Sequence, residues 1–329
     1  MNSDAVKAIN MQMILFIGRK GKNIMEIKYH IPDFMRHFRL NLTLAEYIKR
    51  NPQAIRDNVK IGSVYGSFPN MLWNGGRFLQ GRCEPRIMQE ILRQLNMRGI
   101  PCRFTMTNPL IKAEHLADPL CNAIMKAADN GMNEVIVYSQ MLEDHIRSKY
   151  PSMKITSSTC KQIESFDELS AEMEKDYSLV VLDYNFNNNF DILERLPHKE
   201  KAELLVNACC DPHCKRRGEH YRSIGRSQIA CTEHMNKRTG KPYQPEPFEC
   251  ACMKKHLYQT VDSPVHISPE AIYEKYVPMG YSNFKIEGRS VPDVNVLENY
   301  IYYMVKPEYQ NEARLEMLLL LTKEVKYFG

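Results

Sequence analysis

From residue 59 onward the chain repeats one pattern, a short β-branched apolar run followed by a longer segment with apolar residues every three or four positions. The runs fall at 59–65, 102–107, 134–138, 154–157, 179–184, 203–206, 265–267 and 283–286. Each is nearly continuously apolar and ends in polar or small residues, the pattern of a parallel strand buried on both faces. Helical periods separate most of them. Residues 85–96 place Ile87, Ile91, Leu92 and Leu95 on one stripe, and 119–128, 140–149, 161–174 and 293–304 repeat the pattern. Pro269 behind Ser268 opens a further helix at 269–276, with proline at the first helical position and serine as cap. Eight such units predict an α/β fold, a TIM-like (β/α)8 barrel.

The boundaries follow. Residues 1–58 read as an N-terminal helical extension whose helix at 43–55 plugs the bottom of the barrel. The barrel occupies 59–305, and 306–329 form an amphipathic C-terminal helix packed on the outside. One repeat is broken. Between the sixth and seventh runs lie residues 207–264, a Cys-rich loop without a clean helix period. In a barrel it emerges at the C-terminal face, where catalytic loops sit.

Bulk properties narrow the function classes only loosely. The net charge is 44 − 39 = +5, which tolerates an anionic partner without requiring one. The densest basic cluster, Lys215-Arg216-Arg217, is either a solvated loop edge or a phosphate or RNA contact. No apolar stretch approaches the ~18 residues of a membrane span, and the start lacks signal-peptide features. The expected location is therefore cytoplasmic, with cysteines serving as thiols and ligands rather than disulfides.

Six of the ten cysteines, Cys209, Cys210, Cys214, Cys231, Cys250 and Cys252, crowd into this loop. Cys210 and Cys214 stand on a turn after a strand, so their sulfurs can converge. Cys231 and one of the Cys250/Cys252 pair complete a four-thiolate set. Such a set holds either Zn²⁺ or a [4Fe–4S] cluster, and spacing alone leaves both open. Cys83, Cys102 and Cys121 fall in the first barrel repeats and are expected bystanders.

Leu205-Val206-Asn207-Ala208-Cys209-Cys210 with Cys214, Arg217 and His220, followed by Ile267-Ser268-Pro269-Glu270 and Phe284-Lys285-Ile286-Glu287-Gly288-Arg289, resembles the peptidase U32 family over about residues 59–305. The resemblance implies a TIM-like barrel and, in some members, a [4Fe–4S] cluster on four cysteines serving oxygen-independent hydroxylation of a quinone precursor or RNA bases. For other members it implies a collagenase-like peptidase. Carried over, Cys210 and Cys214 match the first ligand pair. Cys231 and Cys252 match by order, with Cys209 or Cys250 as substitutes. Ala208-Cys209 stands where many relatives have Glu-Gly. The implied partners are a small-molecule or RNA substrate and a second U32-like protein or an electron donor.

Strand ends supply the remaining candidates. Glu287 and Arg289 follow the last run, and His266 is expected beside them on the seventh. Together they suit proton transfer and the binding of a carboxylate or phosphate, or else form a structural ion pair. Gly75-Gly76-Arg77 reads as an anion-binding turn or a plain loop. For peptide hydrolysis there is no His-Glu-x-x-His and no Gly-x-Ser-x-Gly, and nothing supports pairing Cys160 with His266. Three functions follow: an iron–sulfur hydroxylase or related redox protein, a U32-type peptidase, and a non-catalytic barrel whose four-cysteine metal site staples its loop.

Overall fold

The computed structural model describes residues 25–237, 241–250, 252, 255 and 257–323. Eight parallel strands close into a barrel in sequence order, β1 (Ile27–Pro32), β2 (Val59–Gly66), β3 (Cys102–Met106), β4 (Glu134–Val137), β5 (Lys154–Ser157), β6 (Leu179–Val181), β7 (Ala202–Leu205) and β8 (Asn283–Lys285), with β8 pairing back to β1. A helix follows each strand: α1 (Phe38–Arg50), α2 (Pro85–Asn96), α3 (Pro119–Ala128), α4 (Gln140–Lys149), α5 (Phe166–Glu174), α6 (Phe190–Arg195), α7 (Arg217–Asn236) and α8 (Asp293–Met304). Several helices start on polar caps that the sequence supplies. Asp118, Ser139, Ser165 and Asn189 accept backbone N–H groups from the first turns of α3, α4, α5 and α6. The final helix, α9 (Gln310–Thr322), packs on α1 and α8 through buried Ala313 and Met317.

The barrel begins earlier than the apolar runs predict. Its first strand is β1, inside the stretch 1–58 read as an extension, and α1 belongs to the outer ring rather than plugging the bottom. Residues 265–267 are not a strand. Ile267 N–H donates to Val206 O at 3.0 Å, but the carbonyls of Val265 and His266 are taken by the side-chain amides of Asn187 and Asn188. This apolar tether docks on the end of β7 without joining the ladder. The Cys-rich insertion therefore lies between β7 and β8.

The interior of the barrel is partly ionic, which explains why β1 is not an apolar run. Arg103 of β3 bonds Glu134 of β4 at 2.8 Å and pairs with Glu203 of β7. Glu203 also meets Lys285 of β8 at 3.3 Å and His30 of β1 at 3.5 Å. Two cations face two carboxylates, so the buried layer is balanced as long as His30 is neutral. Burial, then the charge of Arg103, lowers the His30 pKa to about 3.

The insertion is not a plain loop. Helix α7 runs through it, and its buried face carries Arg217, His220, Ile224, Gln228 and Cys231 at helical spacing. Mostly polar, that face shows no apolar period. Arg217 pairs with Asp183 after β6 and lies 4.6 Å over the Tyr184 ring. Gln228 exchanges 3.1 Å hydrogen bonds with the Leu79 backbone. Gly225 is required for this fit, since a Cβ there would lie 2.5 Å from Asn108 Oδ1.

Candidate active site at the barrel mouth

Two cavities open at the C-terminal ends of the strands. The outer one, about 390 Å³, lies between α7 and the segment after β8. The inner one, about 90 Å³, sits over the ends of β3, β5 and β8. Arg77, His220, Glu287 and Arg289 line both and form the partition between them.

Glu287 is held from several directions. Its carboxylate pairs with Arg77 and accepts the Cys209 N–H at 3.1 Å. Asn207 fixes the backbone, accepting Glu287 N–H at 2.6 Å and donating to its carbonyl at 3.0 Å. Arg289 donates to Thr105 Oγ1 at 2.8 Å, Gly75 O at 2.9 Å and Asn74 Oδ1 at 3.4 Å. The predicted pair thus shares one site, with Gly75-Gly76-Arg77 folded against it.

His266 is elsewhere. It faces Tyr302 and Tyr303, on α8, and lines neither cavity. Belonging to the tether rather than to a strand, it is not aimed at the mouth. Burial lowers its pKa to about 4.

The thiols divide. All ten cysteines are free. Cys210 lines the inner cavity, while Cys209 and Cys252 line the outer. Burial, then the charge of Glu287, pushes the Cys210 thiol up to about 12; Arg77 opposes this, and Cys252 and Cys214 add to it. Cys252, pushed up to about 11 chiefly by burial, also senses Cys250. Cys231 is turned away on α7 toward Asn70 and Gln80. Among the described residues, no group of three or more His, Cys, Asp or Glu side chains is arranged to hold a metal ion.

Several residues take a larger part in the site than their sequence context predicts. Arg77, buried Lys285, Tyr65 and Tyr221 all line the inner cavity. The signal for Lys285 was its place two residues before Glu287, since alternate strand residues share a face. Of the basic cluster, Lys215 and Arg216 are exposed while Arg217 is buried on Asp183, so Arg217 is not part of a solvated loop edge.

No family model and no curated protein matches the sequence. Among solved structures, the U32 peptidase Mk0906 aligns with 83% of this chain and 97% of its own, at a TM-score of 0.50 and 13% identity. This is the fold of a U32 peptidase. The U32-type barrel expected from the motifs is present, and identity this low speaks for the fold alone. Among the described residues, no helix is long and apolar enough to cross a membrane.

Proposed function

We propose that this U32-type barrel is an iron–sulfur protein that carries out redox chemistry, oxygen-independent hydroxylation, on a small aromatic or nucleobase substrate. The observation that carries the reading is the placement of thiols on both sides of the Arg77–Glu287 partition, Cys210 facing the inner cavity and Cys209 and Cys252 the outer. Cys210, Cys214, Cys250 and Cys252 are the residues that would hold the group once drawn together, since among the described residues they do not already form a metal-binding set. They are free, burial chiefly raises the Cys210 and Cys252 thiols, with Cys252 and Cys214 adding to the first and Cys250 to the second, and thiolate is the donor type that such clusters use. Cys250 takes the place assigned by order to Cys231. When bound, a [4Fe–4S] cluster supplies one-electron transfer.

The remaining chemistry belongs to the chain. Arg77 favours thiolate at Cys209 and Cys210 by its charge. Glu287, held by Arg77 and Asn207, is placed to move a proton at the boundary of the two cavities. The outer cavity falls in the size range of small-molecule sites and is walled in part by Phe78, Phe248 and Ile224, which suits an aromatic ring. The free thiols fit a reducing compartment. Hydroxylation without O₂ withdraws two electrons from the substrate, so the partner such chemistry needs is an electron-accepting redox protein, for example a second U32-like protein, or a co-substrate that donates the oxygen atom.

Anaerobic purification with iron, zinc and sulfide analysis and a visible spectrum tests the proposal. Iron with acid-labile sulfide is expected. Stoichiometric zinc without sulfide after anaerobic reconstitution would overturn it in favour of a stapled loop. Peptide cleavage by cluster-free protein would favour the peptidase reading.

A further inference from the structure

Arg289 differs from the other cations of the barrel interior and its mouth. Arg103 has Glu134 and Glu203, Lys285 has Glu203, Arg77 has Glu287 and Arg217 has Asp183. Arg289 is 9% exposed, and its hydrogen bonds all go to neutral acceptors, Thr105, Asn74 and the Gly75 carbonyl. Among the described residues it makes no ion pair with a carboxylate. Tyr65, whose ring centroid lies 6.0 Å away, and then buried Asp33 favour its charge from a distance; Asp33 Oδ1 takes the N–H groups of Met35 and Arg36, and its Oδ2 makes no hydrogen bond among the described residues, with Arg289 or any other group.

A buried guanidinium without a counter-ion is costly, because water no longer solvates the charge and no carboxylate replaces it. Three bonds also leave part of its donor fork unused. The group lines the inner cavity, whose wall adds the hydroxyl residues Thr105, Thr107, Ser158 and Thr159 and the cation Lys285. Donors and positive charge converge on a space of about 90 Å³, the Glu287 carboxylate on its wall being paired with Arg77, and Cys160, Ile136 and Leu205 forming the less polar walls.

We propose that the inner cavity is a subsite for the carboxylate of a small organic acid, with Arg289 as its counter-ion. One uncompensated positive charge calls for a monoanion, and the planar fork of arginine matches a carboxylate. The acid's remaining atoms pass the Arg77–Glu287 partition toward the outer cavity. The subsite is built from barrel residues and stands whether or not the cysteines hold a cluster, so metal analysis of the same preparation separates its failure from failure of the redox reading.

Titration calorimetry of the full-length protein at low ionic strength, with acetate, neutral acetamide and inorganic phosphate as probes, tests the subsite. Acetate should bind, acetamide should bind at least ~10-fold more weakly, and Arg289→Gln should abolish the difference because the charge-assisted pair is gone. Cys160→Leu, which fills the cavity without touching the arginine's charge, should also block acetate and serves if Arg289→Gln fails to fold. Equal binding of acetate and acetamide to the wild-type protein, or acetate binding retained at the wild-type level by either folded variant, would overturn the proposal. Phosphate binding more tightly than acetate would overturn its charge assignment, and with it the carboxylate.

Discussion

Glu203 is the buried anion on which the barrel interior depends, and Glu203→Gln tests that dependence. The carboxylate is fully buried and serves Arg103, Lys285 and His30 together. An amide of the same size keeps the volume but leaves two cations facing Glu134 alone. Breaking a buried pair by removing one partner costs about 3–5 kcal/mol. At roughly 2 °C per kcal/mol for a chain of this size, the melting temperature should fall by about 6–10 °C. The single tryptophan, Trp73, is fully buried and reports unfolding in urea. The pH dependence gives a second check. The cations hold the Glu203 carboxyl well below its ordinary 4.5 despite burial, so its stabilisation is present above pH 4.5 and is lost as pH falls through the folded value. The gap between wild type and variant should be flat near neutrality and narrow below pH 4.5. A loss under about 1 kcal/mol, or a gap that widens on acidification, would refute the ionic-layer account.

Other outcomes follow from the site. Cys250→Ser should lower iron and sulfide content after anaerobic reconstitution while Cys231→Ser leaves them unchanged, as metal analysis would read. Glu287→Gln should reduce turnover by ~10²-fold or more with iron content intact, the usual scale for a proton-transfer group. Gly225→Ala should cost about 1–3 kcal/mol in urea denaturation, because the new methyl meets Asn108 and must displace α7. His266→Phe should leave acetate binding unchanged. Its second effect concerns pH: the folded value near 4 lies below the ordinary 6.5, so the unfolded chain takes up the proton first. Wild type should therefore lose stability as pH falls from 6.5 toward 4, and the phenylalanine variant should show a shallower slope.

What the sequence made legible follows from what each element buries. Strands such as β4 (Glu134–Val137), packed on both faces, leave apolar runs that can be read directly. β1 does not, because Lys28 and His30 interrupt it and His30 sits in the ionic layer. Residues 265–267 mimic a strand because Val265 and Ile267 are buried, yet asparagine amides satisfy carbonyls where a ladder would. Helix α7 hides for the opposite reason, its buried face being held by hydrogen bonds and an ion pair. That hidden helix also misplaces Cys231. From Arg217, at the start of α7, to Cys231 is fourteen residues, a displacement of roughly 21 Å along a helix axis. A flexible loop could have folded that thiol back toward Cys214; a helix carries it away.

β8 and the residues after it show why the mouth was the most legible part of the site. Phe284 and Ile286 are fully buried in the main apolar core, and Gly288 packs within Cβ-contact distance of Pro32 and Val296. The alternate positions, Lys285, Glu287 and Arg289, all line the inner cavity. Period-two alternation thus lets one short stretch deliver three charges to one face, each with a different task. Lys285 completes the ionic layer, Glu287 closes the partition with Arg77, and Arg289 is left without a carboxylate. A register slip of one residue would put the phenylalanine and isoleucine into the mouth and the three charges into the apolar layer. The ionic layer and the apolar shell therefore fix the same register, and that register places Arg289 in the inner cavity.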